Sequence, residues 1–291
     1  MYRLLPVRVL IALIFLSASI FSCDYVEYPY TPPTPVNVNS DTVQKVRKVI
    51  LEEFTGHTCG NCPTAAKSAT GLKNIHGDKL VLLTIHEGFF ALPQAPPFTY
   101  DFRTATGTAY GSFFGVIQHP MALVNRIDYP ANNHLKTPGN WSSLIDSLLD
   151  VPVEAFISME NDFNEATKIL DCNIRIDVLR PLTGTFNLVV LLMEDSIQKA
   201  QIDYDVPNDT VQDYWHRHIL RANITGAWGD SVLTDPQEGD TLLKNYSYSV
   251  PADFKGYPVH TDQCFVIAYL YDATPPAPTY RILQAEETKI K

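Results

Sequence analysis

At 291 residues, with 45% hydrophobic and 19% charged, the chain has the mixture of a globular protein and is long for a single ordinary domain. Its 22 Lys and Arg against 32 Asp and Glu give a formal net charge of −10, which argues against a nucleic-acid binder, since that function needs a basic face to displace counterions. A mean hydropathy of −0.06 excludes a polytopic membrane protein.

Residues 1–22 are predicted to be an export signal. Arg3 and Arg8 supply the positive start, Val9 to Phe21 is an almost unbroken apolar run, and Ser17, Ala18, Ser19 and Ser22 gather near its end. Such a run spans roughly 20 Å as a helix, short of the ~30 Å bilayer core, so a permanent membrane helix is not expected. Ile20-Phe21-Ser22-Cys23 resembles a bacterial lipobox, in which the cysteine is diacylated and becomes the mature N-terminus. Phe21 departs from the small residue usual at its place. On this resemblance Cys23 is the lipidation site and its acyl chains hold the protein at a membrane. A plain secretory signal with an incidental cysteine is the alternative. Cleavage before Cys23 removes two bases and no acid, leaving 20 against 32 and a balance of −12. That surface is not drawn to anionic lipid.

Residues 23–43 carry Pro29, Pro32, Pro33 and Pro35 without apolar periodicity, as in a semi-rigid extended tether. A first unit is expected over 44–150. Residues 46–54 are strand-like, a turn containing Gly and Cys leads to Pro63 at the start of a helix running to about Asn74, and Lys79 to His86 is a continuous apolar strand. A Pro- and aromatic-rich excursion occupies 87–105. A helix near 107–114, a strand over 121–126 and an amphipathic helix over 140–149 complete an α/β order. Over 151–291 strand-like runs at 153–160, 168–179, 185–194, 215–223, 241–250, 264–272 and 280–288 are separated by Pro-containing loops. They predict an all-β antiparallel, immunoglobulin-like sandwich.

With Cys23 assigned to lipid, four cysteines remain for an oxidising compartment. Cys172 and Cys264 fall in predicted sandwich strands and are candidates for a structural disulfide, or else buried thiols packed as small hydrophobes. Cys59-Gly-Asn-Cys62 lies between an apolar strand and a helix, where unpaired amides and the helix dipole favour a thiolate. Cys59 is then the nucleophile and Cys62 the resolving thiol. His57 and His119 are candidates to stabilise that thiolate and to bind a substrate, or are solvated loop histidines. Zinc needs a second tight Cys/His pair, which the sequence lacks, so neither a metal nor another cofactor is expected. A non-catalytic clip closing the turn stays open.

Val49-Ile-Leu-Glu-Glu-Phe-Thr-Gly-His-Thr-Cys-Gly-Asn-Cys62 resembles the thioredoxin superfamily, with Thr58 where an aromatic residue usually stands. The resemblance implies an α/β thioredoxin-like fold for 44–150. It implies that Glu53 exchanges a proton with Cys62 and that Pro120, within Val116-Ile-Gln-His-Pro-Met-Ala-Leu-Val124, is cis and presents backbone to a substrate strand. Glu52-Glu53-Phe54-Thr55-Gly56, His119-Pro120-Met-Ala-Leu-Val-Asn125-Arg126 and His218-Ile-Leu-Arg221 together resemble the Bacteroidetes outer-membrane lipoprotein family related to outer membrane protein twenty-eight. That resemblance implies an outer-membrane address. Two functions are expected from these readings. One is a thiol-disulfide oxidoreductase or redox-responsive binding protein whose partners are envelope thiols and disulfides. The other is a non-catalytic adhesin or receptor that contacts an extracellular protein ligand through the sandwich.

Overall fold

The structure, a computed structural model, describes residues 44–291; the leader, the tether and the acylation assigned to Cys23 lie outside the described residues. Val49–Thr55 forms β1, buried along its whole length. Cys62–His76 is α1, with Pro63 in its first turn, Lys73 and His76 in its last, and Ala65, Ala69 and Leu72 spaced to bury one face. Leu80–His86 is β2. Ala105–Phe114 is α2, opened by the Thr104 hydroxyl, which accepts from the Gly107 amide, and closed by Gly115 in the left-handed region. Met121–Val124 is β3, and Trp141–Leu149 is α3. Strands follow: β4 (Ala155–Asn164), β5 (Ile169–Val178), β6 (Thr185–Glu194), β7 (Ile197–Ile202), β8 (Thr210–His216), β9 (Ile219–Asn223) and β10 (Asp230–Thr234). The last are β11 (Thr241–Ser249), β12 (Asp253–Phe254), β13 (Tyr257–Pro258), β14 (Cys264–Asp272) and β15 (Ile282–Lys289).

A mixed eight-stranded sheet runs β15-β14-β6-β9-β2-β1-β3, with β10 paired to β6. β2 is parallel to β1, and β3 is antiparallel to it. A second, antiparallel sheet, β11-β5-β4, packs on the large one, Ile157, Ile174 and Ile176 meeting Leu188, Val190 and Val266 in one core. Further along that face α1 and α3 cover Val49, Leu51, Leu80 and Leu82. The opposite face is a continuous apolar layer, in which Phe54 and Leu83 join Leu191 and Ile267 beneath Tyr110 and Phe114 of α2.

This topology corrects the expected fold class. No thioredoxin-like α/β domain stands apart from an antiparallel sandwich, because one sheet takes strands from both sides of residue 150. The seam is narrow: Thr84 pairs with Ile219, and the Thr84 amide donates to the His218 carbonyl at 2.7 Å. Its cause lies in β2, whose apolar run is buried on both faces and needs a neighbour at each edge. β1 supplies one neighbour and β9 the other.

Two further corrections concern local elements. Residues 215–223 do not form one strand, because the chain turns at His218 (φ 54) and separates β8, which pairs only with β7, from β9 in the large sheet. Trp215 is therefore half exposed while Arg221 is buried. Cys172 and Cys264 form no disulfide; both are free and buried in the core between the sheets, where burial pushes each thiol up to about 12.

The alternation of β1 separates its two glutamates. Glu52 points to the α2 face, where fully buried Arg126 donates to both its oxygens at 2.6 and 2.7 Å. The Arg126 guanidinium also donates to the Tyr269 hydroxyl of β14 and lies 4.7 Å over the Tyr110 ring. One buried cation thus ties β1, α2 and β14 together.

Candidate functional site

Cys59 and Cys62 are joined as a disulfide where β1 gives way to α1, and both are buried, at 3% and 2% exposure. What buries them is the β7–β8 hairpin. The Ile202 amide donates to the His57 carbonyl at 2.9 Å, and the Tyr204 amide donates to the Gly60 carbonyl at 3.0 Å. The Gln201 amide side chain donates to the Cys59 carbonyl at 3.0 Å. Residues 201–204 therefore lie along the motif. Tyr204 packs so close over Gly60 that a Cβ there would stand 2.4 Å from its ring and displace it. The Thr64 hydroxyl donates to Asp205 at 2.6 Å, and Lys67 lies 3.6 Å from Asp203, fastening the strap to the first turns of α1.

Beneath the strap a cavity of about 590 Å³ opens between α1 and β8. Cys62, Glu53, His86, Tyr214 and His216 line it. Glu53 is on the α1 face of β1, 4% exposed, with Oε1 lacking any partner, and burial pushes its carboxyl up to about 8. It holds a proton at neutral pH. His86 and His216 are also buried, their ring centroids 5.4 Å apart and each against Phe102. Burial lowers both, His216 to about 3, so these imidazoles stay neutral. Among the described residues no group of three or more His, Cys, Asp or Glu is placed to hold a metal.

The two histidines singled out from the sequence, His57 and His119, and Pro120 do not line this cavity. His57 is stacked on Phe98, centroids 5.8 Å apart, and burial lowers its pKa. The His119–Pro120 bond is cis, and β3 begins one residue later, Met121 opposite Phe54. His119 Nε2 lies 2.8 Å from Glu87 rather than on a sulfur. Phe90 links the two regions: its carbonyl accepts from the Thr58 amide and hydroxyl, and its ring stands edge-on to His119. Among the described residues no hydrogen bond joins His57 or His119 to either cysteine sulfur. The structure thus gathers Cys62 and Glu53 around one cavity, with Cys59 and His57 under the strap. It sets His119 aside with Glu87.

The strap and the His86–His216 pair escaped the sequence reading. Gln-Lys-Ala-Gln-Ile-Asp-Tyr-Asp is polar and has no strong strand signature, so nothing in it announces a segment laid over a disulfide.

The sequence profile of the family described as outer membrane protein Omp28 matches residues 107–288. No curated protein matches the chain. Among solved structures the fold is similar to HBP35 of Porphyromonas gingivalis, with a TM-score of 0.63 at 15% identity over 85% of this chain and 76% of that one. It is also similar to a protein of Agrobacterium tumefaciens, with a TM-score of 0.54 at 15% identity over 86% of this chain and 97% of that one. At such identity the likeness is one of fold.

Proposed function

The chain belongs to the Omp28 family of outer membrane proteins, and on that premise we propose that it is a redox-responsive binding protein of the cell envelope, held at the outer membrane through acylated Cys23. The observation that carries the proposal is the Cys59–Cys62 disulfide closed under its own strap, with the buried Glu53 carboxyl in the cavity that Cys62 lines.

The chemistry is a two-electron exchange with an envelope dithiol. A partner thiolate attacks the Cys59 sulfur, the Cys59–Cys62 bond breaks, and Cys62 leaves as a thiolate that takes the Glu53 proton. The partner's second thiolate then attacks the partner sulfur of the mixed disulfide and releases Cys59 as a thiolate, which takes a proton from water. The partner ends as a disulfide and this chain as a dithiol. In the reverse direction the Glu53 carboxylate accepts the Cys62 proton. Strap and disulfide are coupled, because two of the carbonyls that hold residues 201–204, those of Cys59 and Gly60, belong to the disulfide-closed turn, and that of His57 lies two residues before it. Reduction loosens that turn and frees the strap, and its underside together with the cavity becomes the binding surface.

Hydrogen exchange of the Ile202 and Tyr204 amides tests this reading. Dithiothreitol, or the Cys59→Ser/Cys62→Ser double substitution, is expected to accelerate both by at least tenfold, with the core strands unchanged. Unchanged exchange, or a disulfide reducible only in denaturant, would sink the proposal and favour the non-catalytic binding lipoprotein, in which the disulfide is a clip.

A further inference from the structure

The cavity between α1 and β8 is lined by two polar groups that the protein itself leaves without partners. Glu53 makes no hydrogen bond among the described residues. Its Oε1 is closed off, so the 4% of the residue still exposed includes Oε2, which meets the cavity. Tyr214 lines the same cavity from β8, and its hydroxyl too has no hydrogen-bond partner among the described residues. Burial, and then the nearby Glu53 carboxyl, push that hydroxyl up to about 12. A buried carboxyl with neither a donor nor a cation beside it is costly to the fold.

The walls set the charge and shape of what fits. Lys67 and Arg217 line the cavity, but their charges are engaged by carboxylates outside the lining, Asp203 at 3.6 Å and Asp195 at 2.9 Å. His86, His216 and His218 line it as well, and burial lowers each, so they add no positive charge at neutral pH. Glu53 and Asp213 are the acids of the lining, and neither forms an ion pair among the described residues. The charge that is missing is therefore a cation, and the chain's formal net charge of −10 favours its approach. Ala66, Ala69 and Val211 supply apolar wall, and the rings of Tyr214 and Trp215 supply aromatic faces of the kind on which a cation rests. At about 590 Å³ the cavity falls within the roughly 300–1,000 Å³ of small-molecule sites.

We infer that this cavity binds a small organic cation, a primary ammonium on an apolar or aromatic body, with the ammonium donating to Glu53 and to the Tyr214 hydroxyl. Glu53 is a carboxylate in that complex, its proton passing to solvent as the ammonium arrives. Such a molecule is the ligand of the binding protein proposed above and rests on that reading, but the cavity is already present in the disulfide form, so it needs neither reduction nor release of the strap. Phenethylamine is the probe, titrated by calorimetry into the disulfide form of the full chain near neutral pH, in two buffers of different ionisation enthalpy. It is expected to bind saturably and to release close to one proton. Phenylpropanol and phenylpropionate, with a neutral or an anionic head on a similar body, are expected to bind at least tenfold more weakly. Glu53→Gln keeps the shape and removes the carboxylate. It is expected to weaken phenethylamine at least tenfold and to abolish proton release, without lowering the melting temperature at neutral pH. Tyr214→Leu leaves the acid in place and is expected to weaken binding severalfold; unchanged affinity there would overturn the place given to Tyr214. Absence of phenethylamine binding, equal binding of phenylpropanol, binding without proton release, or affinity unchanged in Glu53→Gln would overturn the site. Amine binding with unchanged exchange of the strap amides would remove the redox response and leave the ligand standing. Accelerated strap exchange without amine binding would do the reverse.

Discussion

Glu53 shows how one side chain acquires chemistry from its neighbours. A carboxyl ordinarily near 4.5 is pushed up to about 8 by burial with no cation beside it, whereas Glu52, one residue earlier, is met by Arg126 on the other face. The native state therefore keeps a proton that the unfolded chain releases near pH 4.5. Between there and pH 8 stability falls as pH rises, by about 1.4 kcal/mol per pH unit for that one group. His86 and His216 act on the acid side with the opposite sign: their lowered values mean that the unfolded chain takes up protons first, so stability falls as pH drops below about 6.5. Glu53→Gln should flatten the alkaline-side decline by close to one proton in urea unfolding at a series of pH values. An unaltered slope from pH 5 to 8 would mean that Glu53 is not the group responsible.

At the scale of the element, the β7–β8 hairpin explains why a Cys-x-x-Cys at a helix mouth is not open to solvent here. It supplies backbone donors to the motif from within the chain, as a bound peptide strand does from outside. Closure then rests on a few hydrogen bonds plus the Tyr204–Gly60 contact, a small free energy that local opening overcomes. Ile202→Pro deletes the donor to the His57 carbonyl while leaving the disulfide in place. Reduction by a phosphine should become at least tenfold faster than in the unsubstituted protein, as read by alkylation and mass spectrometry. Equal rates would place the barrier to reduction elsewhere than in the strap.

Across the whole molecule, the large sheet makes the two halves of the sequence mutually dependent. The β2–β9 seam is a single residue pair, so much of the coupling falls to the shared α2-face core and to Arg126, which touches β1, α2 and β14. Arg126→Met leaves Glu52 buried without its cation and should cost about 3–5 kcal/mol, with Glu52→Leu in the same chain restoring part of it. Trp141 and Trp228 sit against different cores, and their fluorescence and the far-ultraviolet dichroism should nevertheless report one transition. Two separable transitions would indicate two folding units.

Most helices and strands were readable locally. Pro63 marks the start of α1, and Leu80–His86 is apolar enough to demand burial on both faces. Alternation along β5 and β11 likewise marked strands of a half-buried sheet. Glu53 was singled out by the resemblance to the thioredoxin superfamily, and the Cys-x-x-Cys pair was legible from its spacing between an apolar strand and a helix. Cys172 and Cys264 were not, because pairing two thiols on separate strands depends on where the sheets place them. Nor was the topology: that β9 rather than solvent borders β2, that His218 turns the chain, and that residues 201–204 roof the motif all depend on contacts far apart in sequence. Local periodicity records which face of an element avoids water, and so it determined most of the helices and strands. It carries no record of which distant segment covers that face, and only the packed structure decided that the large sheet takes strands from both sides of residue 150 and that the β7–β8 hairpin closes over the motif.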